Sequence, residues 1–439
     1  MKYLKNVLIA ILLFIPFVQF AQTRNAVIEN IQELMLENYI FLDKATETNL
    51  HLDSLMKINH FDAFSDPNTF AKSLSEEMQK ITKDKHLNVA PPRPPRVPQE
   101  NADFTSRHLS NLMRFRSGGF VKIELLEGNV GYIELKGFRR EDLSKVDDVM
   151  SYLSTADAFI IDLRENGGGS GLGLYWSSYF LKEGIKLTGT YERRTDTEVE
   201  LKTVSVKGNK RLEVPIFILT SSFTFSAAEA FAYDLQSRKR ATIIGETTGG
   251  GAHPVDFIRL VQDYALIVPY AESINPITKS NWEGVGVIPD IKTTKEESLA
   301  KAQSLAVIAA KNYREMPFNK LKTILDQNEI SQKEENEVCE LFKVLLERKH
   351  LEDFMINNMG YSYLENEQVN SAYVIFKSNA EIYPQSPNAH DSFAEILVLK
   401  GENQEALKHY QLAVSFAKEQ NDRQLDRYKR NLIAFKTKI

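Results

Sequence analysis

One cysteine, Cys339, stands in a chain of 439 residues. No internal disulfide can form, and no cysteine-based metal cluster can be built. After the first twenty residues no apolar run is long enough to cross a bilayer. Positive charge is also short: 54 Lys and Arg face 59 Asp and Glu, a formal net charge of −5. That mild acidity argues against nucleic acid or an anionic membrane as a partner. No H-E-x-x-H or comparable His/Asp/Glu spacing occurs, so neither a metal nor another cofactor is expected. A fold without such staples must rest on a large core, which this length allows, in two or three domains.

What is present begins with a leader. Lys2 and Lys5 precede an apolar run from Val7 to Phe20 that ends at Ala21. A short positive start, a short apolar core and a small residue read as a signal peptide over 1–21. Its removal takes the formal charge from −5 to −7, because it carries two lysines and no acid. The mature chain is expected to be exported, periplasmic or extracellular, with no stable membrane insertion.

Residues 22–90 repeat apolar positions at helical spacing (Ile28, Ile31, Leu34, Met35; then Phe70, Leu74, Met78), which predicts an N-terminal helical domain. "PPRPPRVP" opens a proline-rich linker over 91–103, too rich in proline for helix. Residues 104–313 change character. "FVKIELLEGNVGYIELKGF" alternates as a hairpin, "AFIIDL" and "VPIFILT" read as strands buried on both faces, and helical stretches separate them. Such units make an α/β domain. Residues 314–439 are helical throughout. There Gly360 and Ala394, Tyr363 and Leu397, Ala372 and Ala406, and Phe376 and Tyr410 each pair at a period of 34. That resembles the tetratricopeptide repeat, which often binds peptides, so a protein partner on these repeats is an expectation.

Three loops that follow strands carry the candidate chemistry. "DLRENGGGSG" fits neither phosphate-binding glycine pattern, but its backbone can approach a ligand closely. "FTFSAAEAF" places Ser226 three residues before Glu229, the spacing of a capping box and also a helix start that offers free N–H groups. "GETTGGGAHP" adds a histidine, His253, to a third glycine-rich exit. Asp162, at the end of a buried strand, reads as structural and is expected to bond the backbone or Arg164, and Glu229 reads as a helix-start residue.

In order and spacing, "GYIELKGF", "IIDLRENGGG", "LTSSFTFSAAEAFA", "TIIGETTGGGAHP" and "NWEGVGVIPD" resemble the tail-specific protease superfamily. That group includes C-terminal processing peptidases, the tricorn core and interphotoreceptor retinoid-binding modules. The resemblance implies a crotonase-like α/β core and makes Ser226 the nucleophile. One branch uses a serine–lysine dyad with the lysine in the third loop. Here that loop has none, and glycine stands near position 251. The stretch between the proline-rich linker and Phe120 is also too short for that branch's PDZ domain. The tricorn-like branch draws a histidine from an Asp-Gly-His motif, which "KDKHLNV" matches at Asp84 and His86, with Lys85 in place of the glycine.

The expectation is therefore a serine peptidase acting on peptides or unfolded protein. His86 is the base, and Glu283 of "NWEGVGVIPD" the orienting acid. Ala227 and Gly168 supply oxyanion N–H groups, and Thr224 or a backbone turn takes over the cap. His253 is the alternative base or a pocket residue. A ligand-carrying module without catalysis and an esterase both stay open.

Overall fold

The computed structural model describes residues 24–93, 119–139 and 143–438. The expected leader and nearly all of the proline-rich linker lie outside the described residues. Two units divide at 308/309, and each is described by itself.

In the first unit the chain opens with helices α1 (24–38), α2 (Leu42–Lys57) and α3 (Pro67–Thr82). The start of α3 is written locally. Asp66 accepts the Thr69 N–H at 2.9 Å, and Pro67 occupies the first helical position, where its missing N–H costs nothing. Its end is set by Lys83, which takes the left-handed conformation at φ 59°. The chain turns there and enters strand β1 (Asn88–Ala90), so residues 84–87 form a short bridge between helix and sheet.

That bridge alters one expectation. Residues 22–90 are not a self-contained helical domain. β1 pairs with β10 (Ala265–Pro269), which pairs with β9 (Val255–Arg259). Val27, Ile31, Phe70 and Leu74 of the helices share one core with Leu266 and Val268 of that hairpin. The helical stripe finds its partner in a strand pair roughly 190–240 residues away, which periodicity in one segment cannot show.

The central sheet has six strands in the order β12-β8-β7-β4-β3-β2. Strands β3 (Val130–Leu135), β4 (Ala158–Asp162), β7 (Ile216–Thr220), β8 (Thr242–Gly245) and β12 (Ile291–Lys292) run parallel, and β2 (Phe120–Leu126) is an antiparallel edge. Every residue of β4 and β7 is buried, as the continuous apolar runs predict. Helices α4 (Leu143–Tyr152), α5 (Leu172–Phe180) and α6 (Ala227–Ser237) accompany it. The expected mixed α/β core is present. Its parallel strands follow one another in chain order, so no reversal of strand order creates a central crevice. Instead β4, β7 and β8 are adjacent, and the three candidate loops leave their carboxyl ends side by side. A small sheet β11-β5-β6 completes the unit, with β5 at Gly189–Glu192, β6 at Thr197–Val199 and β11 at Ala271–Ile274.

The second unit is helical. Two hairpins, Asp353–Glu365 with Val369–Ile382 and Pro387–Leu399 with Asn403–Glu419, begin 34 residues apart. Gly360 lies against Phe376, where an added Cβ would meet the ring at 2.5 Å. Ala394, Ala406 and Tyr410 pack in the same cluster as Phe376.

Candidate active site

Ser226 sits at the junction of the β7 loop and α6 with φ 55° and ψ −120°. A non-glycine residue there stores about 1–3 kcal/mol and persists only when its surroundings hold it. Glu229 holds it: the Ser226 N–H donates to Oε2 at 2.8 Å. The serine hydroxyl faces the Glu229 N–H closely enough to complete a capping box in outline, yet makes no cap hydrogen bond of normal geometry. Thr224 does not take over the cap. Its hydroxyl donates to the Leu163 carbonyl at 2.8 Å and accepts from the Ser221 N–H, which ties the loop to β4.

Glu229 does more than close a helix. It is fully buried, and its carboxylate also accepts from Gly250 N–H at 2.7 Å, Gly251 N–H at 2.9 Å and the Thr248 hydroxyl. One side chain thus fixes the serine turn and the third loop together. Burial pushes its carboxyl up, against the pull of these donors. Its S-x-x-E position suggested a helix start. The glycine run about twenty residues on was the signal for its second partner.

The glycine loop after β4 approaches Ser226 directly. A Cβ on Gly168 would lie 2.8 Å from Ser226 Cβ and 3.1 Å from Ala227 N, and φ is +98°. Only glycine suits that position. The expectation that Gly168 offers a free N–H needs correction: it donates to Asn166 Oδ1 at 2.9 Å. Ala227 opens α6, where a helix leaves its N–H without an intrahelical partner.

His86 is half-buried on the opposite wall. Its ring lies 4.6 Å from that of Phe225, the residue before Ser226. A Cβ on Gly251 would meet Phe225 Cζ at 2.2 Å and His86 Cε1 at 2.7 Å. Phe225 and His86 therefore fill the space a side chain at 251 would need. Burial lowers the His86 pKa; Asp84 opposes the shift and His253 adds to it. A neutral imidazole suits a base. Nδ1 is buried without a partner, and among the described residues no hydrogen bond joins the Ser226 hydroxyl to either imidazole.

His253 is buried, and its Nδ1 lies 3.0 Å from Asp84 Oδ2 and 3.6 Å from Glu283 Oε2. It is thus committed to carboxylates rather than open to substrate or to Ser226. Burial alone would lower its pKa, but Asp84, Glu283 and Glu272 together raise it. Glu283 accepts the Ala252 N–H at 2.6 Å, and burial, then the charge of Asp84, push its carboxyl up. Among the described residues Asp84, His253 and Glu283 form the one group of three whose His or acid ligand atoms all lie within 4.8 Å of one another. His253 Nδ1 stands at ion-pair distance from both carboxylates. Asp162 is structural, as expected: it accepts from Arg164 at 2.6 and 2.9 Å and from Tyr132 at 2.7 Å.

The mixed α/β core, with glycine-lined loops converging on a strained serine, has counterparts among known proteins. Residues 129–293 match Peptidase family S41, and residues 16–114 match the N-terminal domain of Peptidase_S41 in eukaryotic IRBP. The similarity to peptidase family S41 thus runs from the start of β3 to the end of β12. It is 28% identical over 173 residues to a carboxy-terminal-processing protease of Bartonella bacilliformis, covering 38% of this chain and 39% of that one. It is 30% identical over 130 residues to a tail-specific protease of Haemophilus influenzae, covering 28% and 17%. The crystal structure of the tricorn protease aligns with a TM-score of 0.45 at 14% identity, over 67% of this chain and 37% of that one. The chain thus spans about two fifths or less of the curated relatives described.

Proposed function

We propose that this chain is an exported serine peptidase in which Ser226 attacks a peptide carbonyl with His86 as its base. The observation that carries the proposal is the placement of His86. Its ring, with Phe225, fills the space beside Gly251, where the resemblance would put a dyad lysine. An imidazole supplied from the N-terminal segment replaces the absent amine.

Ser226 Oγ passes its proton to His86 as the carbonyl carbon is attacked. The oxyanion is held by the Ala227 N–H at the positive end of α6. For Gly168 to serve as the second donor, the oxyanion must replace Asn166 Oδ1. His86 then protonates the departing amine, and water releases the acyl group. Glu283 acts from behind, through the loop at Ala252 and through His253. A cavity of about 110 Å³ beside Ala227, lined by Gly173, Leu187, Leu201 and Phe231, receives a small apolar side chain of the substrate. The C-terminal helical hairpins, read as tetratricopeptide repeats, offer a surface for a protein partner. Among the described residues no helix is long and apolar enough to cross a membrane.

A fluorophosphonate probe tests the core of this reading. The wild-type chain should label, and Ser226→Ala and His86→Ala should not. Failure of folded wild-type protein to label would favour a binding module, a reading that the absent Ser226–His86 hydrogen bond keeps in view.

A further inference from the structure

The turn that carries His86 must be placed accurately, because a displacement of about 1 Å at a catalytic group can cost roughly 100-fold. Its two sides are held differently. Beyond it, β1 pairs with β10, with Asn88 opposite Ile267. Before it stands Asp84, only 1% exposed, whose Oδ1 accepts the His86 backbone N–H at 3.0 Å. The other oxygen of Asp84 faces His253 Nδ1 at 3.0 Å, across 169 residues of sequence.

We propose that His253 is a positioning residue that latches the His86 turn onto the peptidase core through Asp84. It does not touch the reacting atoms. The proposal rests on the reading of His86 as the base, but the latch itself is a structural claim that can be tested without turnover.

The geometry leaves His253 little other work. Its side chain is 3% exposed, and the Phe41 ring packs edge-on at 5.4 Å, closing the far side. Asp84 faces it from the turn, Glu283 from the loop before β12 and Glu272 from β11. The Tyr39 hydroxyl meets Asp84 Oδ2 at 3.4 Å, and His86 is the nearby second imidazole. Acids therefore outnumber other charges around the ring. Without a proton on His253, Asp84 and Glu283 would share a buried space uncompensated, an arrangement that strongly disfavours both charges. The raised pKa of His253 agrees with this. The sign follows: the latch is complete below the ordinary imidazole value and is lost as pH rises through the raised one.

The test compares His253→Gln, Asp84→Asn and the double variant, each checked for folding by melting temperature. His253→Gln should lower kcat by about 10- to 100-fold with KM within about threefold. It should also remove the alkaline limb of the wild-type pH profile. The double variant can form a neutral Asn–Gln pair and should fall no further than the worse single variant, since the two side chains act as one unit. Hydrogen exchange at the amides of residues 84–87 should quicken by about tenfold or more in folded His253→Gln. Unchanged exchange there, or losses that add in full across the double variant, would overturn the latch. The exchange measurement decides the matter even if the wild-type chain neither labels nor cleaves, a result that would count against the peptidase reading instead.

Discussion

Gly251→Ala is the sharpest steric probe of the site. Gly251 does not adopt a left-handed backbone, so alanine there brings no strain of its own. The methyl would instead meet Phe225 Cζ at 2.2 Å, Phe225 Cε2 at 2.5 Å and His86 Cε1 at 2.7 Å. Carbon atoms rest at about 3.5–4.0 Å, so the rings must retreat by roughly 1 Å or more. Overpacking of this kind costs about 1–3 kcal/mol. A His86 displaced by 1 Å should lower turnover about 100-fold. The assay is fluorophosphonate labelling rate, with kcat/KM on an unstructured peptide, beside the melting temperature. Phe225→Leu in the same chain removes the Cζ and Cε2 contacts and should recover most of the stability but not all of the rate, because His86 is still pressed. Gly251→Lys, which writes the dyad lysine back into the loop, should fail to restore a dyad for the same reason. Gly251→Ala with wild-type labelling and melting would refute the claim that His86 and Phe225 occupy this space.

Ser226→Ala should remove about 10⁶ in turnover with the fold intact, whereas Ser226→Gly should be equally inactive yet melt higher than Ser226→Ala, because glycine relieves the φ 55° strain. His86 must be neutral to accept a proton and its pKa is lowered, so activity should persist below the ordinary imidazole value of about 6.5 and fall only at more acid pH; an acid limb above that value would contradict the assignment. Glu229→Gln turns an amide N–H₂ toward groups that are already donors and should cost about 1–3 kcal/mol in a denaturant titration, with activity falling alongside. Chelation by EDTA should leave the peptidase rate unchanged, since Asp84, His253 and Glu283 form an ion-pair cluster.

Much of the fold could be read from local signals. The buried strands announced themselves as "AFIID" and "IFILT", and the helical section through its 34-residue spacing. Chain order along the sheet then placed the three candidate loops together. What was not legible depended on long-range partners. The stripe on α1 and α3 could be read, but not that β9 and β10 would complete its core. His253 looked like a second base because a histidine in a glycine loop carries no mark of its partner. Asp84, its partner, lies in another segment and had been read only as the first letter of a motif. Gly168 shows the same limit at short range: the loop's openness was visible, but Asn166 folding back on its N–H was not. Glu229 was read as half of a cap because that spacing is local. Its three bonds to the loop at 248–251 appear only after β7 and β8 are side by side.

Lys85 stands where the motif has glycine, and the sequence alone left open whether that turn could form. It forms because the left-handed residue is Lys83, not Lys85. Position 85 takes no left-handed conformation and so needs no glycine. The side chain then reaches across to donate to the Gly249 carbonyl, adding a tie between the turn and the third loop. That tie is exposed, and exposed contacts of a lysine contribute at most about 1 kcal/mol. Lys85→Ala should therefore lose little stability and keep activity within about threefold. Lys85→Gly should be somewhat less stable, because glycine adds backbone freedom to the unfolded chain without gaining a conformation the turn requires. The measurement is kcat/KM with melting temperature for both variants. A loss of about 100-fold in Lys85→Ala at unchanged melting temperature would mean that the ammonium itself takes part in the chemistry. The base would then have to be sought at position 85 rather than one residue further on.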